Sequence, residues 1–125
     1  PGTVTFLKQA HDLGIKIALG SVSKNAPMIL NKMGLTHLFD AIIDGNNVIN
    51  GKPHPEVFLK GAAAIGLDPK ECLVFEDSIA GIQAAKTGGM SCVGIGNPER
   101  LEGADLHFTA LGDTTPKELV ACFNM

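Results

Sequence analysis

Apolar and polar positions along the chain fall into a recurring unit. A short, β-rich apolar run is followed by a turn with polar or charged residues, and then by a segment that reads as helix. Val4–Leu13 predicts a helix ended by Gly14. Ile15–Leu19 predicts a buried strand. Ser23 or Asn25 can cap a helix over Ala26–Met33, ended by Gly34, and Ala41–Ile43 is a short strand. Pro55–Ile65 predicts a helix with Gly66 after it, and Cys72–Phe75 a strand. Ser78 caps a helix that runs through Lys86 and stops at Gly88-Gly89. Met90–Ile95 and Leu106–Phe108 predict two more strands, and Pro116 suits the first residue of a last helix. Strands that alternate with helices and are apolar on both faces predict an α/β fold, with a parallel sheet covered on both sides. Ligands bind such sheets at the carboxyl ends of the strands. Those ends are Gly20-Ser21-Val22-Ser23, Asp44-Gly45, Glu76-Asp77-Ser78 and Gly96-Asn97.

Length and composition narrow the possible functions. The 125 residues suffice for one domain with a hydrophobic core. A net charge of −3 gives no electrostatic reason to expect nucleic acid or an anionic membrane as partner. With six Phe and neither Trp nor Tyr, stacking platforms for single-stranded nucleic acid are not expected. Cys72, Cys92 and Cys122 are odd in number and widely spaced, which predicts buried free thiols in a reducing, cytoplasmic compartment rather than a disulfide framework or a zinc site. No apolar run approaches membrane-spanning length. The chain starts Pro1-Gly2 without an initiating Met, as a processed product or a piece of a longer chain would.

Three strand ends carry candidate chemistry. Glu76-Asp77 places two carboxylates between an apolar run and a helix. They repel unless neutralised, and Mg²⁺ is a cation that takes one or two carboxylates; a helix cap with one solvated neighbour is the plainer alternative. Ser21-Val22-Ser23-Lys24-Asn25 would aim backbone N–H groups, hydroxyls and an ammonium at one spot, as phosphate sites do; it also fits an ordinary polar turn. Lys52 lies between Gly51 and Pro53 in a loop stiffened by two prolines, where it can act as a point charge for phosphate or be a solvated surface lysine. The four histidines show no ligand spacing, and only His54 lies near Lys52. Asp44 reads as a turn residue before Gly45-Asn46-Asn47.

Taken together, these segments resemble a known family. Gly51-Lys52-Pro53-His54-Pro55-Glu56, followed by Val74-Phe75-Glu76-Asp77-Ser78-Ile79-Ala80-Gly81-Ile82, resembles the haloacid dehalogenase superfamily of phosphatases and phosphomutases. Ile17-Ala18-Leu19-Gly20-Ser21-Val22-Ser23-Lys24-Asn25 looks like its β-phosphoglucomutase branch. The resemblance runs from Pro1 to about Asp113 and implies a Rossmann-like core in which a phosphoryl group passes through an aspartyl-phosphate. It implies that Ser21, helped by the Val22 N–H, holds the transferring phosphate, and that Lys52 neutralises nucleophile and phosphate. It implies further that Ser23, Lys24 and Asn25 grip the second phosphate of a phosphorylated hexose, and that Glu76 and Asp77 hold Mg²⁺, with Asp77 the direct ligand.

The chain also departs from the family. The Asp-x-Asp-Gly motif that carries the nucleophile at the end of the first core strand is not in this sequence; Asp40, Asp44, Asp105 and Asp113 are loose candidates without a second aspartate two positions on. Residues 1–125 therefore resemble a single partial core domain, the segment that follows the cap insertion, with the first core strand and the cap as partners from the same protein. In the family that strand lies between the strand ending at Leu19 and the one ending at Phe75. The expectation is either a gap there, filled by a supplied strand, or closure of the two flanking strands. The function that the resemblance implies is the C-terminal core of a Mg²⁺-dependent β-phosphoglucomutase that interconverts β-glucose 1-phosphate and glucose 6-phosphate. The alternatives are a sugar-phosphate phosphatase and a non-catalytic phosphate-binding module.

Overall fold

The computed structural model describes residues 2–20, 32, 34–44 and 48–123. Helix α1 covers Thr3–Asp12, followed by β1 (Ala18–Gly20), β2 (Ala41–Ile43) and α2 (Glu56–Ala64). Next come β3 (Leu73–Glu76), α3 (Ile79–Thr87), β4 (Ser91–Ile95), β5 (Leu106–Phe108) and α4 (Pro116–Phe123). The helix expected over Ala26–Met33, with its caps Ser23 and Asn25, lies outside the described residues apart from Lys32, as does the turn at Gly45-Asn46-Asn47.

Two boundaries moved for physical reasons. The first strand begins at Ala18 rather than Ile15, because Ile17 is held differently. Its N–H donates to the Asp40 carboxylate at 2.7 Å, and its carbonyl accepts the Asp40 N–H at 2.7 Å. The ladder starts one residue later, at Ala18 opposite Ala41. The third strand runs one residue past Phe75, because Glu76 still pairs with Gly94 of β4. Glu76 is thus a strand residue, and Asp77 opens the turn.

Among the described residues every strand pairing is parallel, but the strands form two sheets. β1 pairs with β2, while β3, β4 and β5 form a second sheet with β4 in the middle. Among the described residues no ladder joins β1 to β3, so the flanking strands have not closed up.

Alternation along β3 and β4 sorts the core into two layers. Val74 and Cys92 point to one face and pack with Ala62 of α2 and with Ile82 and Ala85 of α3. Leu73, Phe75, Val93 and Ile95 point to the other and pack with Phe6 of α1 and Leu119 of α4. Phe6 meets Phe75 edge to face at 5.4 Å between ring centroids. Helices therefore cover both faces, as the double-sided apolar runs predict. Burying an aliphatic side chain as completely as Ile82 or Val93 contributes about 1.5–3 kcal/mol.

Helix α2 spans the interruption between the sheets. Its Ala62 lies in the core of the larger sheet, while Gly61 faces Ala18 of β1 and Val57 faces Gly20. A Cβ on Gly20 would stand 2.9 Å from the Val57 side chain, so glycine at the end of β1 lets the helix approach. The cysteines are free: Cys92 is fully buried, Cys72 half-buried, and Cys122, contrary to expectation, exposed on the last helix. No helix among the described residues is long and apolar enough to cross a membrane.

Candidate active site

The carboxyl ends of β1 and β3 face each other across the interruption in the sheet. Between them opens a cleft of about 450 Å³. Gly20 lines one side, Phe75, Glu76 and Asp77 line the other, and Lys52 reaches in from the loop before α2. Thr109, Ala110 and Leu111, after β5, close the far wall.

Glu76 is placed by its strand and fixed by the start of α3. It is 8% exposed, and alternation points it to the same face as Val74. Its Oε1 accepts the Asp77 N–H at 3.0 Å and the Ser78 hydroxyl at 3.1 Å. Ser78 Oγ in turn accepts the Gly81 N–H at 3.1 Å, so one side chain caps α3 and orients the glutamate. The carboxylate lies directly on Gly81, where any Cβ would collide with it. Glycine costs a helix about 1 kcal/mol against alanine, and here that loss makes room for the Glu76 carboxylate.

Lys52 supplies the positive charge. Its Nζ stands 2.7 Å from Glu76 Oε2 and 5.2 Å from the centroid of the Phe58 ring. The lysine side chain is 20% exposed, which rules out the solvated surface lysine considered from sequence. The Lys52–Pro53 peptide is cis. His54 is exposed, as expected of a loop histidine, but its Nδ1 accepts the Glu56 N–H at 3.1 Å.

The two carboxylates respond differently to this arrangement. Burial pushes Glu76 up, but the hydrogen bond and charge of Lys52 and the contacts with Asp77 outweigh it, and its pKa lies below the ordinary value. Asp77 is exposed, and its pKa is raised, first by hydrogen bonding to Glu76, then by partial burial and by the Glu76 charge. One ammonium serves two carboxylates and is committed to one of them. The pair is short of a positive charge at Asp77, on the cleft side. Mg²⁺ needs only one or two protein carboxylates and fills its other positions with water and phosphate oxygens, so this donor set fits it. Among the described residues no group of three or more His, Cys, Asp or Glu side chains that could hold a metal ion gathers at this cleft or anywhere else.

Of the residues singled out in the sequence, Lys52, Glu76 and Asp77 meet at this cleft. Ser21, Val22, Ser23, Lys24 and Asn25 lie outside the described residues, directly after Gly20 at its edge. Asp44 is buried at the end of β2. Sequence reasoning passed over Phe58 and quoted Glu56 and Gly81 only as motif members, without a role. Gly81 had a readable signal, since a glycine in the first turn of a helix marks a close approach.

A family model described as haloacid dehalogenase-like hydrolase matches residues 1–89. The chain belongs to that family. Among haloacid dehalogenase-like relatives, the β-phosphoglucomutase of Bacillus subtilis (strain 168) is 41% identical over 115 residues, covering 92% of this chain and 51% of that protein. The fructose-1-phosphate phosphatase of Escherichia coli (strain K12) is 42% identical over 79 residues, covering 63% of this chain and 42% of that protein. A crystal structure of β-phosphoglucomutase from Clostridium difficile superposes with a TM-score of 0.93 at 37% identity, over 99% of this chain and 56% of that one. The chain thus spans about half the length of the relatives it matches, and its α/β architecture is that of the haloacid dehalogenase-like core.

Proposed function

We propose that this chain is the C-terminal core of a Mg²⁺-dependent β-phosphoglucomutase, interconverting β-glucose 1-phosphate and glucose 6-phosphate. The observation that carries the reading is the convergence of Lys52, Glu76 and Asp77 on one cleft at the strand ends. The 41% identity to the Bacillus subtilis β-phosphoglucomutase supports it further.

Phosphoryl transfer is largely positioning and charge stabilisation. Lys52, held by Glu76 and resting on Phe58, presents a fixed ammonium to the phosphate and to the attacking carboxylate. Asp77, with Glu76 behind it, would hold Mg²⁺, which when bound offsets charge on the phosphate oxygens. Ser21 and the Val22 N–H would receive the transferring phosphate at the end of β1, and Ser23, Lys24 and Asn25 the second phosphate. The attacking aspartate comes from a strand outside these 125 residues, seated between β1 and β3, and a cap from the same protein covers the cleft. Asp77 is the only aspartate lining the cleft among the described residues, and the sequence has no Asp-x-Asp-Gly motif.

A hexose-phosphate phosphatase is the second reading, favoured by the 42% identity to the fructose-1-phosphate phosphatase. Product analysis separates the two. With β-glucose 1-phosphate, Mg²⁺ and a hexose bisphosphate primer, the protein containing this chain is expected to form glucose 6-phosphate. Inorganic phosphate as the main product would establish the phosphatase instead.

A further inference from the structure

The loop that carries Lys52 is tied at its base by a side chain that the phosphoryl-transfer reading does not use. Glu56 opens α2, and its carboxylate turns back along the chain. Oε2 accepts the Ile49 N–H at 2.7 Å. Oε1 accepts the Asn50 N–H at 3.1 Å and the Asn50 side-chain amide at 3.0 Å. One turn on, Lys60 Nζ stands 3.4 Å from Oε2. In the other direction the Glu56 N–H donates to His54 Nδ1, and the His54 N–H donates to the Gly51 carbonyl at 3.0 Å. Residues 49–56 close into a ring, with Lys52 on the part farthest from the carboxylate.

Two observations show that residues 49 and 50 are tied by the carboxylate rather than by the packing of Ile49. Ile49 is 90% exposed, so its side chain anchors nothing, while its backbone is fixed by the shortest bond in the set. An acidic residue in a first helical turn is explained by the helix dipole, but the dipole does not explain bonds that run back to residues 49 and 50. The Ile49 bond, strengthened by those from Asn50 and Lys60, outweighs burial and holds the Glu56 carboxyl down at about 2. The acceptor therefore stays charged throughout the neutral range. The same helical turn presents Phe58 beneath the Lys52 ammonium.

We propose that Glu56 is the positioning residue for Lys52: its carboxylate clasps the backbone ahead of the loop and so sets where the ammonium stands in the cleft. The kinetic consequence rests on the phosphoryl-transfer reading; the clasp itself does not. The test therefore has two readouts, made on the whole protein that contains this chain, with the variants Glu56→Ala and Glu56→Gln. The first is acylation of Lys52 by an amine-reactive ester, followed by mass spectrometry with the exposed Lys70 as internal standard. Glu56→Ala is expected to raise the Lys52 rate at least threefold over Lys70, with Glu56→Gln between it and wild type. Equal rates in all three proteins would overturn the proposal, and should Glu56→Ala not fold, the Glu56→Gln comparison decides alone. The second is single-turnover kinetics with the phosphosugar. Glu56→Ala is expected to lower the rate about tenfold with KM within about twofold, and to cost nothing further in a Lys52→Ala background. A full additional loss in that background would show a role unrelated to Lys52 and overturn the proposal. Absence of turnover in the wild type would overturn the functional reading alone, because Lys52 acylation still reports the clasp.

Discussion

At Asp77 and Gly81 single atoms decide what the site can do. Asp77 is exposed and carries the unneutralised half of the carboxylate pair. Asp77→Asn keeps the shape and removes the charge. The expected result is at least a tenfold rise in the Mg²⁺ concentration needed for activity, with an unchanged unfolding midpoint; chelation should abolish wild-type activity, and added Mg²⁺ should restore it. Gly81→Ala has the opposite profile. The new methyl falls on the Glu76 carboxylate, which would have to leave Ser78 and Lys52. Overpacking of this kind costs about 1–3 kcal/mol. Urea unfolding should show that loss together with loss of activity, and a variant as stable and active as wild type would mean that Glu76 can sit elsewhere.

Among the elements, α3 and the segment entering β5 are fastened by Asp105. Its carboxylate accepts Lys86 Nζ at 2.9 and 3.0 Å and the Cys92 N–H at 2.8 Å. Burial opposes ionisation here, but Lys86 and the Cys92 N–H overcome it and lower the pKa. A carboxyl lowered on folding stabilises above its unfolded pKa of about 3.9, and that contribution is lost as pH falls through the folded value. Wild type should therefore be more stable than Asp105→Asn at pH 7, and the difference should shrink below about pH 4. A difference independent of pH would assign the effect to shape alone. Most elements were legible from period and punctuation: Ser78 before α3, Pro116 opening α4, and the left-handed glycines Gly14, Gly66 and Gly89 after the first three described helices. What escaped were long-range bonds with no local signature. The Asp40 side chain on Ile17 delayed β1, and pairing of Glu76 with Gly94 drew a carboxylate into a strand. The Lys52–Glu76 contact was likewise legible only as membership in one family motif set, because 24 positions separate the two residues.

For the molecule as a whole, the interruption between β1 and β3 leaves one edge of each strand without a ladder partner among the described residues. Unpaired strand edges exchange and recruit other strands. The proposed inserted strand makes a measurable difference: hydrogen exchange at residues 18–20 and 73–76 should be slower in the protein that contains the Asp-x-Asp-Gly strand than in the 125-residue chain alone. Equal protection in the two would remove the case for insertion there. The three thiols give the molecule an internal clock for such openings. Cys122 is exposed, Cys72 half-buried, and Cys92 fully buried, with its thiol pushed up to about 11 by burial and by the nearby Glu76 and Asp105. A thiol-specific dye would therefore mark Cys122 at once and Cys92 only when β4, the middle strand of the larger sheet, comes apart. The order in which the chain takes up colour would read out the hierarchy of its unfolding without any engineered probe.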